Sequence, residues 1–429
     1  MTTMVMGDET VRVDATRRPR HVMAAGWAIV LGLVSGLACV GVRLGFRVLQ
    51  WVFVQRTTLL PEAAAGLSPV HRALVPVLGA VLAMAVIAAA RRWSRSKPFT
   101  DYVEAVRFEN GDIPFGSTLW RTVSSAFSVA TGAAIGREGS MIQFAAGVTS
   151  WVARISGVKA ATLSRQVAYG AAAAVAAAYQ APVAGVFFAL EIILGEWVWA
   201  EMPNLLLAAT AGWLVSHFLL GGSPLFAVAK TFSTQGLLWT LPLAAILGAL
   251  SPGYNWLLRS LNRSRRLPLP LLWSGAVVGL LSVFHPAVWG NGDVALTRTL
   301  ASAPVVSTIT TVLLFRLVAT VACVGTGTVG GVFTPTLFAG AALGLLAGHL
   351  LHAPQLTLMA MVGLSTLLAG VTHAPWMASF MAVELTGQWH LLPLFVVLNL
   401  LASHVARGIS PRSQYGIATP VPTEAVLQP

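Results

Sequence analysis

The chain has 429 residues, of which 56 % are hydrophobic and only 10 % are Asp, Glu, Lys or Arg. A soluble domain averages about 25 % charged residues, so a water-soluble particle of this size could not clothe its surface. With a mean hydropathy of +0.75, soluble, disordered and fibrous classes are excluded and a polytopic membrane protein remains. The net charge of +12 does not point to nucleic acid. Its basic residues stand in short clusters between apolar runs: Arg17, Arg18 and Arg20; Arg91, Arg92, Arg95 and Lys97; Arg259, Arg263, Arg265 and Arg266; Arg407 and Arg412. That is the distribution of cytoplasmic loops under the positive-inside rule.

In chain order, residues 1–22 are polar and basic and read as a cytoplasmic lead-in. The first apolar run, roughly Met23 to Val42, is too long for a signal-peptide core and lacks a small-residue cleavage site, so it is expected to be retained. A second runs from about Ala73 to Ala90. Beyond it many apolar stretches fall short of the ~20 residues that cross a bilayer. They are interrupted at Thr131-Gly132, Gly136–Ser140, Gln180-Ala181-Pro182, Gly325–Pro335 and His373-Ala374-Pro375. This pattern predicts discontinuous helices that end inside the membrane, where protein or a water-filled cavity must satisfy the backbone. Cys39 and Cys323 lie within apolar segments and read as packing residues.

An internal repeat is visible. Ala181-Pro182 precedes Glu191 by the same interval as Ala374-Pro375 precedes Glu384, and Phe187 matches Phe380. Upstream, Thr131-Gly132 with Gly136 and Ser140 matches Thr326-Gly327 with Gly331 and Pro335. Two blocks in the same order at nearly one offset predict duplicated halves, with a ligand site near the midplane where they meet.

Gly136-Arg137-Glu138-Gly139-Ser140 places two ionisable residues between apolar segments. A charge at the bilayer centre costs roughly 2.5–3.5 kcal/mol on insertion scales, so it needs a compensating environment. The segment that follows, Met141 to Trp151, reads as a helix beginning here. A helix N-terminus carries about half a positive charge and free N–H donors, which suits an anion. Glu138 then sits where an anion would sit, able to occupy the place when ionised and to withdraw when protonated. The alternative is a surface loop with an Arg–Glu pair. Gly330-Gly331-Val332-Phe333-Thr334-Pro335 opens a second segment at the matching repeat position. Either it is a tight turn, or two helix N-termini from opposed halves aim their amides at one point. In the latter case binding needs no formal positive charge and stays weak enough for fast release.

The GREGS run resembles the GREGP-type motif of the CLC chloride channel and transporter family, and GGVFTP resembles its GGxFxP motif. Tyr415 falls where that family places a pore-lining tyrosine after its last membrane helix. The runs Thr100–Tyr102, Ala287–Gly292 and Glu384–Gly387 resemble its bacterial voltage-gated ClC-type branch. The resemblance covers about residues 23–416, and it implies an all-α membrane domain of about eighteen helices, many short or broken, in an inverted two-fold repeat. The halves would be roughly 23–220 and 221–416, with 417–429 a short cytoplasmic tail that leaves no room for a regulatory domain. It implies a homodimer in the bacterial inner membrane, both termini cytoplasmic, with one chloride pathway per subunit. Carried over by position, Glu138 is the gating glutamate. The backbone of Gly331, Val332 and Phe333 with the Tyr415 hydroxyl forms the central anion site, and Gly136, Arg137, Glu138 and Gly139 form its outer part. The segments Ala181–Glu191 and Ala374–Glu384 are expected at or near the dimer interface.

Two departures stand out. Counting back from Glu138 without gaps, the family's anion-coordinating serine is replaced by Lys97, with Ser96 one residue away. The inward-facing glutamate of proton-coupled members is Ile192 here, and Glu191 lies one residue earlier, a rotation of about 100° on a helix. Glu191 is therefore either a structural acid beside the pathway or a displaced proton relay. Glu196 and Glu201 are expected near the membrane surface. Passive anion conduction is favoured over proton exchange, with a chloride/proton antiporter as the alternative. The nine histidines include no HExxH pattern and His349 with His352 lacks a third ligand, so no metal site is read. No cofactor beyond the transported ion and no enzymatic nucleophile–base set is expected.

Overall fold

The computed structural model describes residues 17–94, 96–222, 224–228, 232 and 234–416, with the side chains of 17–23 and 234–235 excepted. The lead-in before residue 17 and the tail from residue 417 lie outside the described residues, as does Arg95. The first half runs α1 (Arg17–Val54), α2 (Leu60–Ala65), α3 (Pro69–Trp93), α4 (Tyr102–Phe108), α5 (Phe115–Ala130), α6 (Glu138–Ile155), α7 (Ala160–Tyr179), α8 (Pro182–Phe188) and α9 (Met202–Leu220). The α8 segment continues through a π-helical turn, Ala189–Leu194. The second half runs α10 (Thr240–Ser260), α11 (Pro270–Phe284), α12 (Asp293–Ser302), α13 (Val306–Thr326), α14 (Phe333–Leu350), α15 (Leu356–Thr372), α16 (Pro375–Thr386) and α17 (Leu392–Ile409).

Seven helices among the described residues are long and apolar enough to span a bilayer, whereas Pro182–Leu194, Pro270–Phe284 and Leu356–Thr372 are apolar but shorter. The broken-helix expectation therefore holds. The first apolar run extends past its expected end because the helix carries on through Arg43 and Arg47 to Val54. Charge interrupts hydropathy, but Arg is a good helix former.

The repeat is visible element by element. α5, α6, α7 and the α8 segment recur as α13, α14, α15 and α16, and α9 recurs as α17. The punctuation recurs with them. α7 ends on Gln180 at φ 56° and α15 on His373 at φ 59°; each is followed by Ala and then Pro at the first helical turn. A left-handed C-cap stops one helix, and proline, which needs no N–H there, starts the next. The turns before α6 and α14 use Gly132 at φ 106° and Gly327 at φ 85°, conformations that a side chain resists.

Glutamates knit the halves together. Both oxygens of Glu191 accept N–H bonds at the start of α16, from Trp376 (3.3 Å) and Met377 (2.7 Å). Both oxygens of Glu384 accept from the start of α8, from Val183 (3.0 Å) and Ala184 (2.8 Å). Each half thus caps a helix of the other. Phe187 and Phe380, the matched aromatic pair, stack at 4.7 Å between centroids.

Small residues allow the backbones to approach, as expected where lipid removes the hydrophobic drive between helices. A Cβ on Gly340 would lie 2.3 Å from the Gly363 carbonyl oxygen, and one on Gly344 2.2 Å from that of Met359, so α14 lies directly on α15. Buried polar groups add cross-helix bonds: Ser35 to the Gly170 carbonyl at 2.6 Å, and Asn399 to Ser365 and Ser379 at 2.6 and 2.9 Å.

Candidate functional site

The two glycine-opened segments meet. Gly136 N–H donates to the Gly331 carbonyl at 2.6 Å, and Gly331 N–H donates back to the Gly136 carbonyl at 2.7 Å. These are equivalent positions of the two halves, so the bridge marks the point where the repeats cross. A Cβ on Gly139 would lie 2.6 Å from the Gly331 Cα; only glycine permits this approach. The starts of α6 and α14 are thereby brought side by side. The amides of Gly136 and Gly331, two of the positions expected around the anion, are bonded to each other. They build the crossing and are not free to hold an anion.

The next amides lie just beyond. The first helical bonds are Met141 N to Arg137 O in α6 and Thr336 N to Val332 O in α14. By helix geometry the amides of Glu138, Gly139 and Ser140, and of Phe333 and Thr334, precede any intrahelical acceptor, and neither start has a side-chain cap. Pro335 stands at the third helical position and brings no N–H to satisfy.

A cavity of about 610 Å³ opens onto these helix starts. Its wall includes Gly139, Ser140, Val332 and Phe333, and Tyr415 stands in it. Tyr415 stands six positions beyond α17. Arg259 fixes its segment by donating to the carbonyls of Ser413 (3.1 Å) and Gln414 (2.6 Å). Two further tyrosines line the same cavity: Tyr102, which closes the quoted run Thr100–Tyr102, and Tyr179. The Tyr102 hydroxyl interacts with that of Tyr415. Tyr179 stacks obliquely on Phe333 at 5.2 Å, and its hydroxyl lies 3.4 Å from that of Thr334. Arg91, Arg121, Arg259 and Arg265 also line the cavity.

Glu138 does not line this cavity; it is buried beyond it, 7 % exposed. Its Oε1 accepts from Asn291 Nδ2 at 2.8 Å and lies 3.7 Å from Arg137 Nε. Its Oε2 points over Gly136, 2.6 Å from where a Cβ would be. Nothing in the sequence around Asn291 links it to a residue 153 positions away.

The departures resolve in different ways. Lys97 is exposed and pairs with Asp112 at 2.8 Å, and Ser96 bonds to Ser94. Neither lines the cavity. The helix start that does so is that of α4, with Asp101 as cap (Oδ1 to Val103 N, 2.9 Å) and Tyr102 behind it. Ile192 is buried and its carbonyl accepts from Arg107 at 2.5 Å. Glu191 faces elsewhere, into the cap on α16, and also borders a second cavity of about 760 Å³ that shares Tyr415 with the first. Glu196 is exposed, whereas Glu201 is buried and held by Arg165 (3.0 Å) and the Tyr169 hydroxyl.

An inverted repeat of broken helices, crossing at a glycine bridge and ending on a tyrosine-lined cavity, defines a membrane ion-transport fold. The chain belongs to the voltage gated chloride channel family, which it matches over residues 78–407. A relative described as voltage-gated ClC-type chloride channel ClcB, from Citrobacter koseri, is 35 % identical over 405 residues, covering 90 % of this chain and 97 % of the relative. The fold is also that of a slow cyanobacterial Cl⁻/H⁺ antiporter (TM-score 0.78, 23 % identity, 91 % of this chain and 96 % of that one). It is shared with a CLC-type fluoride/proton antiporter (TM-score 0.74, 21 % identity, 92 % and 97 %).

Proposed function

We propose that this protein passes chloride and similar small monovalent anions across the bacterial inner membrane. The observation that carries the reading is the Gly136–Gly331 bridge, which aims two uncapped helix starts at one buried place. Positive dipole ends and orphan amides offset anion dehydration there, and the hydroxyl of Tyr415 supplies another donor. No lysine or arginine need touch the ion, so binding stays shallow enough for passage. Arg91, Arg121, Arg259 and Arg265 in the wall of the first cavity give a field that concentrates anions, and the positive-inside rule puts that mouth, with both termini, on the cytoplasmic side. The functional unit is a homodimer with one pathway in each subunit.

Glu138 is the gate. Ionised, its carboxylate stands in the anion's path and competes for the same donors. Protonated, it loses that attraction and swings aside. Conduction is passive: Ile192 offers no proton acceptor, and both oxygens of Glu191 are committed to the α16 cap. The rival is chloride/proton exchange. It draws on the second cavity, where Glu191 and Tyr415 share a wall, and on the proton-coupled proteins of like fold. Purified protein in liposomes under opposed chloride and pH gradients separates the two. Passive conduction gives a reversal at the chloride equilibrium potential. A displaced reversal with uphill proton movement establishes exchange instead.

A further inference from the structure

We infer that Asn291 is a positioning residue for the gate: it holds the Glu138 carboxylate in its blocking place and so sets how acid the medium must be before the gate releases. This rests on the gating reading of Glu138 given above. The contact is direct, 2.8 Å from Asn291 Nδ2 to Glu138 Oε1, and both residues are 7 % exposed. The direction of the amide is determined by its other end. Asn291 Oδ1 accepts the backbone N–H of Asp293 at 3.1 Å, which leaves Nδ2, a donor only, turned to Glu138.

The segment carrying Asn291 cannot follow Glu138 if it moves. Arg316, 2 % exposed on α13, donates to the carbonyls of Ala287 (2.6 Å) and Gly290 (2.9 Å). Gly290 N–H donates to the Gly132 carbonyl at 3.2 Å. Trp289, fully buried, fills the space over Gly132, where a Cβ would meet its ring at 2.4 Å. Asn291 is therefore a fixed donor opposite a movable acceptor. A fixed N–H binds a carboxylate more strongly than a carboxylic acid, so the clamp is tight while Glu138 is ionised and slack once it is protonated.

The charged and titratable groups around Glu138 are Arg137 beside it, Arg43 from α1, Asp293 from α12 and Tyr179 from α7. Asn291 is the neutral member, so removing its amide changes the clamp without changing the net charge.

The test is chloride efflux from liposomes holding the full chain, measured from pH 4 to pH 9. Asn291→Ala and Asn291→Ser both lack the Nδ2 amide that reaches Glu138; the shorter serine hydroxyl keeps an acceptor for Asp293 N–H and is decisive if the alanine variant is not monodisperse. Each is expected to pass more chloride at neutral pH and to move the half-activation point upward by about one pH unit, a tenfold change in proton concentration. Asn291→Asp keeps the bond to Asp293 and sets a carboxylate against Glu138, and is expected to move it further. In a Glu138→Gln background the same substitutions are expected to change nothing. A wild-type half-activation point in both donor-lacking variants overturns the inference, as does an equal effect in the Glu138→Gln background. If Glu138→Gln itself keeps the wild-type flux and pH profile, it is the gating reading that fails.

Discussion

Glu138 is the residue at which charge, burial and position coincide: an acid at the start of a helix, shielded from water and turned over the glycine that joins the two halves. Chemistry of this kind is legible from a motif, because a carboxylate between glycines in an apolar stretch has few other uses. Replacing it by glutamine removes the charge and keeps the shape. Glu138→Gln is therefore expected to raise chloride flux at neutral pH several-fold and to flatten its dependence on pH. The sign follows from the proposed gate: native flux is expected to increase as pH falls and the acid is neutralised, whereas the amide has no proton to gain. Stopped liposome efflux with a chloride electrode across pH 4 to 9 checks it. Tyr102, Tyr179 and Asn291 were not legible in this way. Nothing in their immediate sequence says what they face, and only the crossing of distant helices brings the two tyrosines to one cavity and Asn291 to Glu138.

Among the elements, the reciprocal caps show how the duplication is locked. α8 and α16 each begin with proline and lack a capping side chain of their own, so a glutamate from the opposite half supplies the acceptors. A charged acceptor at a helix start stabilises it by about 0.5–2 kcal/mol. Glu384→Gln is expected to lower the thermal unfolding midpoint in detergent by a few degrees while leaving the chloride reversal potential in place. Glu191→Gln is expected to do the same. If Glu191→Gln instead abolishes proton movement at unchanged stability, Glu191 is a relay and not a cap. The matched spacing to Glu191 and Glu384 was readable in the sequence; that each would reach into the other half was not, since a one-residue rotation decides which neighbour a helical side chain meets.

For the whole molecule, the fold follows from a solvent constraint. In lipid every backbone group must be satisfied within protein, so helices that stop short of the far surface need a partner at their tips, and the Gly136–Gly331 crossing is where two such tips meet. Apolar side chains remain outward on α9 and α17, among them Leu206, Phe218, Val397 and Leu400, beside the α8 and α16 segments. Against a homodimer formed through this side, single-molecule photobleaching of singly labelled protein in liposomes is expected to show two steps in most spots. A predominance of single steps at high protein density rejects the dimer.

Hydropathy, the spacing of Gly and Pro, and one repeated offset were enough to determine membrane residence, broken helices, duplicated halves and the acid at Glu138, because these depend on local chemistry and on period. The tertiary structure alone decided that the amides of Gly136 and Gly331 bind each other, that Tyr102 at the start of α4 lines the cavity while Lys97 pairs with Asp112, and that Asn291 reaches Glu138. Each of those depends on distances between segments far apart in the chain, set by loop lengths and helix packing that no local pattern records.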